Sequence, residues 1–579
     1  MDPINYFTSP TNPSQRQYEA LKAYYVDGLS TKEASKRYNF KPAYFKKLKF
    51  NFLSALKNNQ NPFFQIKKPG PKKRSTKPDI IQKIVALRKK NHSITDIKVI
   101  LESLKKSLSL DTIDSILKDE GFAPLPKRTR IQQLEAAIPE KIEPPQSVPL
   151  NIIDEEFSTE KGAGPLIFLP LIEQLGLIKA IKNSDYPKTS VLNDISSVLS
   201  FLALKLLGNE RLSHDTTWNL DRALGFFAGL NVLPKKSTLS SYSYRVNRSA
   251  NRQLLLEMSK IFKDEELENG EFNLDFKTIP HWGDASILEK NWAGSRSKSM
   301  KSILSLIVQD PSTGYLSYSD AEIRHRNQKD VVLDFVDFWK EGRGVSPKML
   351  IFDSKFTTYK NLNELNESKD KVKFLTLRRR GKKLIKRVSE IPEFNWKKIH
   401  IEGKKRKVNT ITVYEEECHI RNYTDKIRQV IIKDHGRKQP SFLITNDFNI
   451  GLKDIIKKYA RRWLVEQEIA EQIAFFQLNS PSSSIVVKVD FDLTISLLAH
   501  NLYRVLSSKL PGFERCTVST IYRNFLENGA IIKIKNNTAS VLLKKKTHLP
   551  ILFELPWLKE ESKLSWLNLS IKFEPGTTL

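Results

Sequence analysis

Cysteine is almost missing from this sequence: Cys418 and Cys516 are the only two in 579 residues. Two cysteines cannot build a disulfide framework or a cysteine-rich zinc site, and the nine histidines do not gather around them. The one adjacent pair, Cys418-His419, reads as a thiol beside a histidine on a strand, not as a metal site. Long apolar runs are missing too. None reaches the roughly 18 residues that a membrane span needs, and MDPINYFTSPTNPSQ is not a signal peptide, so a cytoplasmic protein with no membrane partner is expected. Acid is scarce beside base: 65 Asp and Glu against 95 Lys and Arg leave a net charge of +30. Such an excess points to a polyanionic partner, first of all nucleic acid, because phosphate backbones reward distributed positive charge whatever their sequence.

What is present is enough to fold. Hydrophobic residues make up 40% of the chain, and apolar runs such as SVLSFLALKLL and KSILSLIV recur. The length predicts a large central domain with smaller ones attached. Over residues 1–60 a helix ends near Gly28, Ser30 and Glu33 form a capping box, and Pro42 opens a third helix carrying Lys41, Lys46, Lys47 and Lys49. This is a helix-turn-helix pattern with a phosphate-facing third helix, and equally that of a plain three-helix bundle with a solvated basic face. Residues 61–77 read as a basic linker, in which Lys72, Lys73 and Arg74 follow Pro69, Gly70 and Pro71 and can lie along DNA. A second helix-turn-helix domain is expected over 78–122, a proline-rich linker over 123–150 and a helical region over 151–270.

From residue 271 the texture turns to strands. EFNLDFKTIP, KSILSLIVQD, YLSYSDAEI, MLIFD and FLITND alternate with helical stretches in the order of a mixed α/β sheet. This core is expected over 271–515, with a basic, largely β insertion over 357–438 and a C-terminal region over 516–579. Asp275 lies in one strand and Asp353 ends another, where ligand sites collect. Tyr459, Arg462 and Glu466, in YARRWLVE, fall along one side of a helix. Three carboxylates delivered by two strands and a helix suit a pair of Mg²⁺ ions in in-line attack on phosphorus. Arg462 would hold a phosphate or orient Glu466, and Tyr459 would pack on a sugar or base. Acids at strand ends are also common without such a role.

LDFKTIPHWGD, LIFDSKFTTY, FLITND and YARRWLVE, in this order, resemble the DDE transposases of bacterial and archaeal insertion sequences, in the branch with a β-insertion before the last glutamate. The resemblance implies a ribonuclease H-like fold, with Asp275, Asp353 and Glu466 as catalytic and metal-binding carboxylates and Tyr459 and Arg462 as companions. It implies Mg²⁺ or Mn²⁺, two ions, as cofactor. The implied partner is double-stranded DNA, as terminal inverted repeats and target, held by a homodimer on paired ends in a prokaryotic cell. It also suggests Trp396 as an aromatic contact to a flipped base. The family has a lysine seven residues after the glutamate where this chain has Ile473, and Asp284 competes with Asp275 for the first position. A metal-dependent DNA nuclease without strand transfer, or a catalytically decayed DNA-binding descendant, are the alternatives.

Overall fold

Among the described residues, Asn12, Ser30 and Pro42 set where the first three helices begin. The Asn12 side chain accepts from Ser14 N–H ahead of α1 (Pro13–Tyr25), the Ser30 and Glu33 capping box closes in both directions ahead of α2 (Thr31–Arg37), and Pro42 opens α3 (Pro42–Lys57). Gly28, at φ +72°, makes the turn between the first two. Together they bury Ala20, Leu21, Ala23, Ala34, Tyr38 and Phe45. Helix α3 leaves Lys46 and Lys47 exposed, whereas Lys49 is tied to Thr31 Oγ1 at 2.9 Å and lies over the Tyr24 ring.

The computed structural model describes residues 9–10, 12–58, 62–63, 76–104, 106–125, 153–189, 192–209, 218, 221–264, 268–281, 288–293, 297–401, 410–436, 438–462, 464–478 and 485–576. Lys72, Lys73, Arg74, Asp284, most of the proline-rich linker and the side chain of Ile473 lie outside these. The chain divides into two units, Met1–Ser75 and Thr76–Leu579.

The second unit opens with α4 (Pro78–Lys89), α5 (Ile94–Ser103) and α6 (Leu110–Asp119), packed around Ile84, Ile97, Leu101, Ile113, Ile116 and Leu117. These helices are built into the rest of their unit. Val85 packs with Ile485 and Val487, the Glu120 carbonyl accepts from Val486 N–H at 3.0 Å, and Arg326 pairs with Asp119 at 2.7 Å.

Among the described residues, strand β1 (Glu155–Thr159) is followed by the α-helices α7 (Leu169–Gln174), α8 (Leu177–Lys182), α9 (Asp194–Leu206), α10 (Arg222–Phe227), α11 (Lys236–Ser243) and α12 (Arg248–Asp264). Helix α9 is buried along its whole length, its polar side chains bonded inward, as Ser197 Oγ donates to Asn193 O, Ser200 Oγ to Ser196 O and Lys205 Nζ to Phe476 O. Next come β2 (Glu271–Pro280), β3 (Lys290–Ala293), β4 (Lys298–Gln309), β5 (Leu316–Ile323), α13 (Val331–Arg343), β6 (Met349–Phe352), α14 (Tyr359–Glu367), β7 (Lys373–Leu377), α15 (Lys382–Glu390), β8 (Lys397–His400), β9 (Thr410–Cys418), β10 (Ile427–Lys433) and β11 (Ser441–Thr445). Ten strands form one open mixed sheet in the order β3-β4-β2-β6-β7-β11-β10-β9-β8, with β5 also on β4. Strands β2, β6 and β7 run parallel, and the other pairings are antiparallel. Helices α16 (Leu452–Arg461), α17 (Leu464–Ala474) and α18 (Val486–Ser508) complete this part. Among the described residues no helix is long and apolar enough to cross a membrane.

Three features differ from the sequence reading. The stretch read as an insertion over 357–438 does not stand apart: β7 pairs parallel with β6, Lys373 opposite Met349, and β8 to β11 continue the same sheet beyond it. KFLTL is short and flanked by lysine, and its partner is fixed by long-range pairing that local composition does not reveal. The region read as helical over 151–270 begins with β1, whose Glu155 stands opposite Ile534. That pairing closes a five-stranded sheet with β12 (Ala530–Lys535), β13 (Thr538–Leu543), β14 (Ser562–Leu564) and β15 (Leu569–Pro575) of the C-terminal region. Lastly, the helix of YARRWLVE is two helices. Arg462 N–H bonds to Tyr459 O and Val465 N–H to Arg462 O, a tightened i to i+3 turn between α16 and α17.

Candidate active site

Strand β2 organises the site. In the parallel register Asn273 stands beside Ile351, so Asp275, midway along β2, and Asp353, just past the end of β6, come level on neighbouring strands. Stacked rings of Phe276 and Phe356, with centroids 3.8 Å apart, pin the two segments together. Helix α17 packs on β2, and the end of α16 with the residue after it reaches the strand at three points. Lys458 pairs with Glu271, buried Asn273 donates to Arg461 O at 3.2 Å, and Arg462 Nη1 lies 3.6 Å from Asp275 Oδ1.

Arg462 joins the carboxylates. Its Nη2 donates to Glu466 Oε1 at 3.0 Å, and its guanidinium carbon lies 5.9 Å from the centre of the Tyr459 ring. The arginine side chain is 16% exposed and that of Asp275 21%, whereas Glu466 opens to solvent at 52%. Burial pushes the Asp275 carboxyl up to about 6; Arg462 opposes this, and Glu466 and Asp353 add to it. Carboxylate oxygens are hard donors of the kind that Mg²⁺ or Mn²⁺ takes. The structure brings Asp275, Glu466, Arg462 and Tyr459 together, with the guanidinium lodged between the two carboxylates, and sets Asp353 level with Asp275 on the neighbouring strand; the three carboxylates do not converge as ligands within 4.8 Å of one another.

A second cluster lies on the other side of α17. Glu468, Glu471 and His500 form, among the described residues, the only trio whose potential ligand atoms lie within 4.8 Å of one another, and it is capable of holding a metal ion. His500 is fully buried and its imidazole is pushed down to about 3 by burial. Its Nε2 sits 3.1 Å from Gly314 O and 3.3 Å from Glu468 Oε2, so the neutral ring donates from Nε2. Burial raises Glu468 to about 7, with Glu471 adding and Arg504 opposing. Sequence reasoning missed this trio: its signal is two acids three apart on one helix and a lone histidine in a long apolar one.

Trp396 is half-buried in the sheet extension, its ring 5.8 Å from that of Tyr414 and under Lys433 Nζ at 4.0 Å. Phe394, two residues away, is the exposed aromatic at 86%. Both cysteines are free thiols, and Cys418 Sγ accepts from Arg378 Nη1 at 3.4 Å.

No protein-family model matches this sequence, and no curated protein is found similar to it. Among solved structures it is similar to a piggyBac transposase synaptic complex with hairpin DNA, at 13% identity and a TM-score of 0.33, over 63% of this chain and 80% of that one.

Proposed function

We propose that this protein is a DNA transposase that cleaves and joins strands at the terminal inverted repeats of an insertion element. The observation that carries the reading is the level placement of Asp275 and Asp353 on adjacent parallel strands, with Glu466 joined to Asp275 through Arg462. The order β5-β4-β2-β6-β7, with only β4 antiparallel among these five, is that of a ribonuclease H-like core and supports the same reading.

In this reading Asp275, Asp353 and Glu466 hold two Mg²⁺ or Mn²⁺ ions, which when bound supply an activated water or 3′-hydroxyl and stabilise the departing oxygen. Arg462 binds a phosphate of the DNA through its planar fork, and Tyr459 packs beside it. Lys46 and Lys47 contribute sequence-independent phosphate contacts. The protein acts as a homodimer on paired ends.

A second reading places the ion at Glu468, Glu471 and His500, because these converge as ligands while Asp275 and Glu466 are bridged by arginine.

The test is incubation with Mg²⁺ or Mn²⁺ and a plasmid carrying the gene and its native flanks. Breaks confined to two inverted ends, joined to target DNA and lost in Asp275→Asn and Asp353→Asn, are expected. Cutting without joining makes the protein a nuclease, and end binding without cutting makes it a decayed copy. Cutting that survives Asp353→Asn and fails in Glu471→Gln selects the second reading.

A further inference from the structure

We infer that Arg462 is a stand-in cation: without DNA its guanidinium occupies the carboxylates that would take the metal, and a DNA phosphate draws it away, so that metal and DNA load together. This rests on the reading of Asp275, Asp353 and Glu466 as the metal site and adds its regulation.

Three observations carry it. One guanidinium spans two of the three carboxylates, at 3.6 Å to Asp275 Oδ1 and 3.0 Å to Glu466 Oε1. The positive charge sits where a divalent cation would sit, hydrogen-bonded to Glu466 and ion-paired with Asp275, and it would have to leave for the cation to enter. The fit is incomplete: Arg462 Nε is buried without a hydrogen-bond partner, so the bridged position leaves one of its donors unsatisfied. A phosphate offers the planar fork a better-matched partner than two separate carboxylates.

The third observation is where the residue sits. Arg462 follows the last residue of α16, which is anchored, Arg461 O accepting from the buried Asn273. Rotation about the arginine's own side-chain bonds is enough to carry the guanidinium away while β2 and α16 stay in place. The linkage works both ways. If DNA raises metal affinity by withdrawing the arginine, metal raises DNA affinity by the same factor.

The test is Mn²⁺ binding to the full chain, by calorimetry or by loss of the free-ion paramagnetic resonance signal, with and without a DNA duplex. Arg462→Gln without DNA should bind Mn²⁺ about tenfold tighter than the wild type, in the range of ordinary site-to-site couplings. Duplex should tighten binding to the wild type more than to Arg462→Gln. Adding Asp353→Asn to Arg462→Gln should remove the gain. Mn²⁺ bound no more tightly by a folded Arg462→Gln than by the wild type overturns the stand-in role. Should Arg462→Gln not fold, Arg462→Lys decides, since it cannot span both carboxylates: tighter binding than wild type supports the proposal and equal binding overturns it. A different result sinks the site reading itself: Mn²⁺ bound equally by wild type and Asp353→Asn but lost in Glu471→Gln.

Discussion

Helix α3 of the first three-helix module carries Lys46, Lys47, Lys49 and Lys57 and no acid, whereas α6, the third helix of the second module, carries Asp111, Asp114 and Asp119 against Lys118 alone. In sequence the two modules look like a tandem repeat of one DNA-binding unit. They share helix count, turn placement and capping serines, Ser30 and Ser93. Their surfaces part company. Lys46 and Lys47 are exposed, while the carboxyl-terminal end of α6 is consumed by the rest of the second unit, Asp119 by Arg326 and Glu120 by Val486. A helix-turn-helix outline therefore says how three helices pack, and charge on the third helix says whether phosphate is its partner.

Emptying each core tests this contrast most directly. Phe45→Ala should cost about 3–5 kcal/mol and Leu101→Ala about 2–5 kcal/mol, both side chains being fully buried. Calorimetry should show Phe45→Ala lowering a transition of the first module alone, and Leu101→Ala lowering the main transition of the remainder. One shared transition for both variants would dissolve the distinction.

Charge comes next. Lys46→Ala with Lys47→Ala should reduce the slope of log affinity against log salt by about 2 on duplex DNA, roughly one for each phosphate no longer neutralised. Lys118→Ala, whose amine pairs with Asp114, should leave the slope unchanged. Equal effects from the two would return the second module to the DNA surface.

Acidity gives a subtler contrast, because the second module shuts ionisable groups against the rest of its own unit. Burial, with Glu322 adding, pushes Glu120 up to about 8, and burial pushes Lys89 down to about 7. For Glu120 the folded pKa lies above the unfolded one, so its contribution is whole below the ordinary carboxylate range and drains away as pH rises toward 8. Lys89 is the reverse: its contribution is present above the ordinary lysine range and lost as pH falls toward 7. Docking of α4 to α6 should therefore be weakest near neutrality, read as faster amide exchange over 78–119. Glu120→Gln should flatten the acid limb. A profile with no minimum would mean these groups exchange protons with water freely.

The smallest effects are at the caps. Ser30→Ala and Ser93→Ala should each cost about 1 kcal/mol, the first in the transition of its own module and the second in that of the larger unit. Matched melting curves would show it, and a cost shared between transitions would not.

How much of this could be read from sequence depended on how local the cause was. Ser30 with Glu33, Pro42 and Gly28 act within a few residues, and the helices begin and turn where those residues place them. Asp275 could be placed within a strand and Asp353 at the end of one from their apolar neighbours, but their common level depends on the register of β2 and β6, which no local pattern carries. The break at Arg462 was invisible, since neither glycine nor proline marks it and the periodicity runs through. The role of β7 was hidden by flanking lysines, and that of β1 by EEFST, an acidic pentapeptide whose partner is distant. Glu468, Glu471 and His500 converge only through the packing of α17 on α18.

The pairing of β1 with β12 has a consequence in time. Glu155 leaves the ribosome about 380 residues before its partner Ile534. At about 5–20 residues per second β1 waits roughly 20–80 s before its hydrogen bonds can form, far longer than a hairpin takes to close. During synthesis the first module can fold from its own residues, whereas the five-stranded sheet can be sealed only after β12 has emerged. A nascent chain therefore gains its basic three-helix head well before the body behind it is finished.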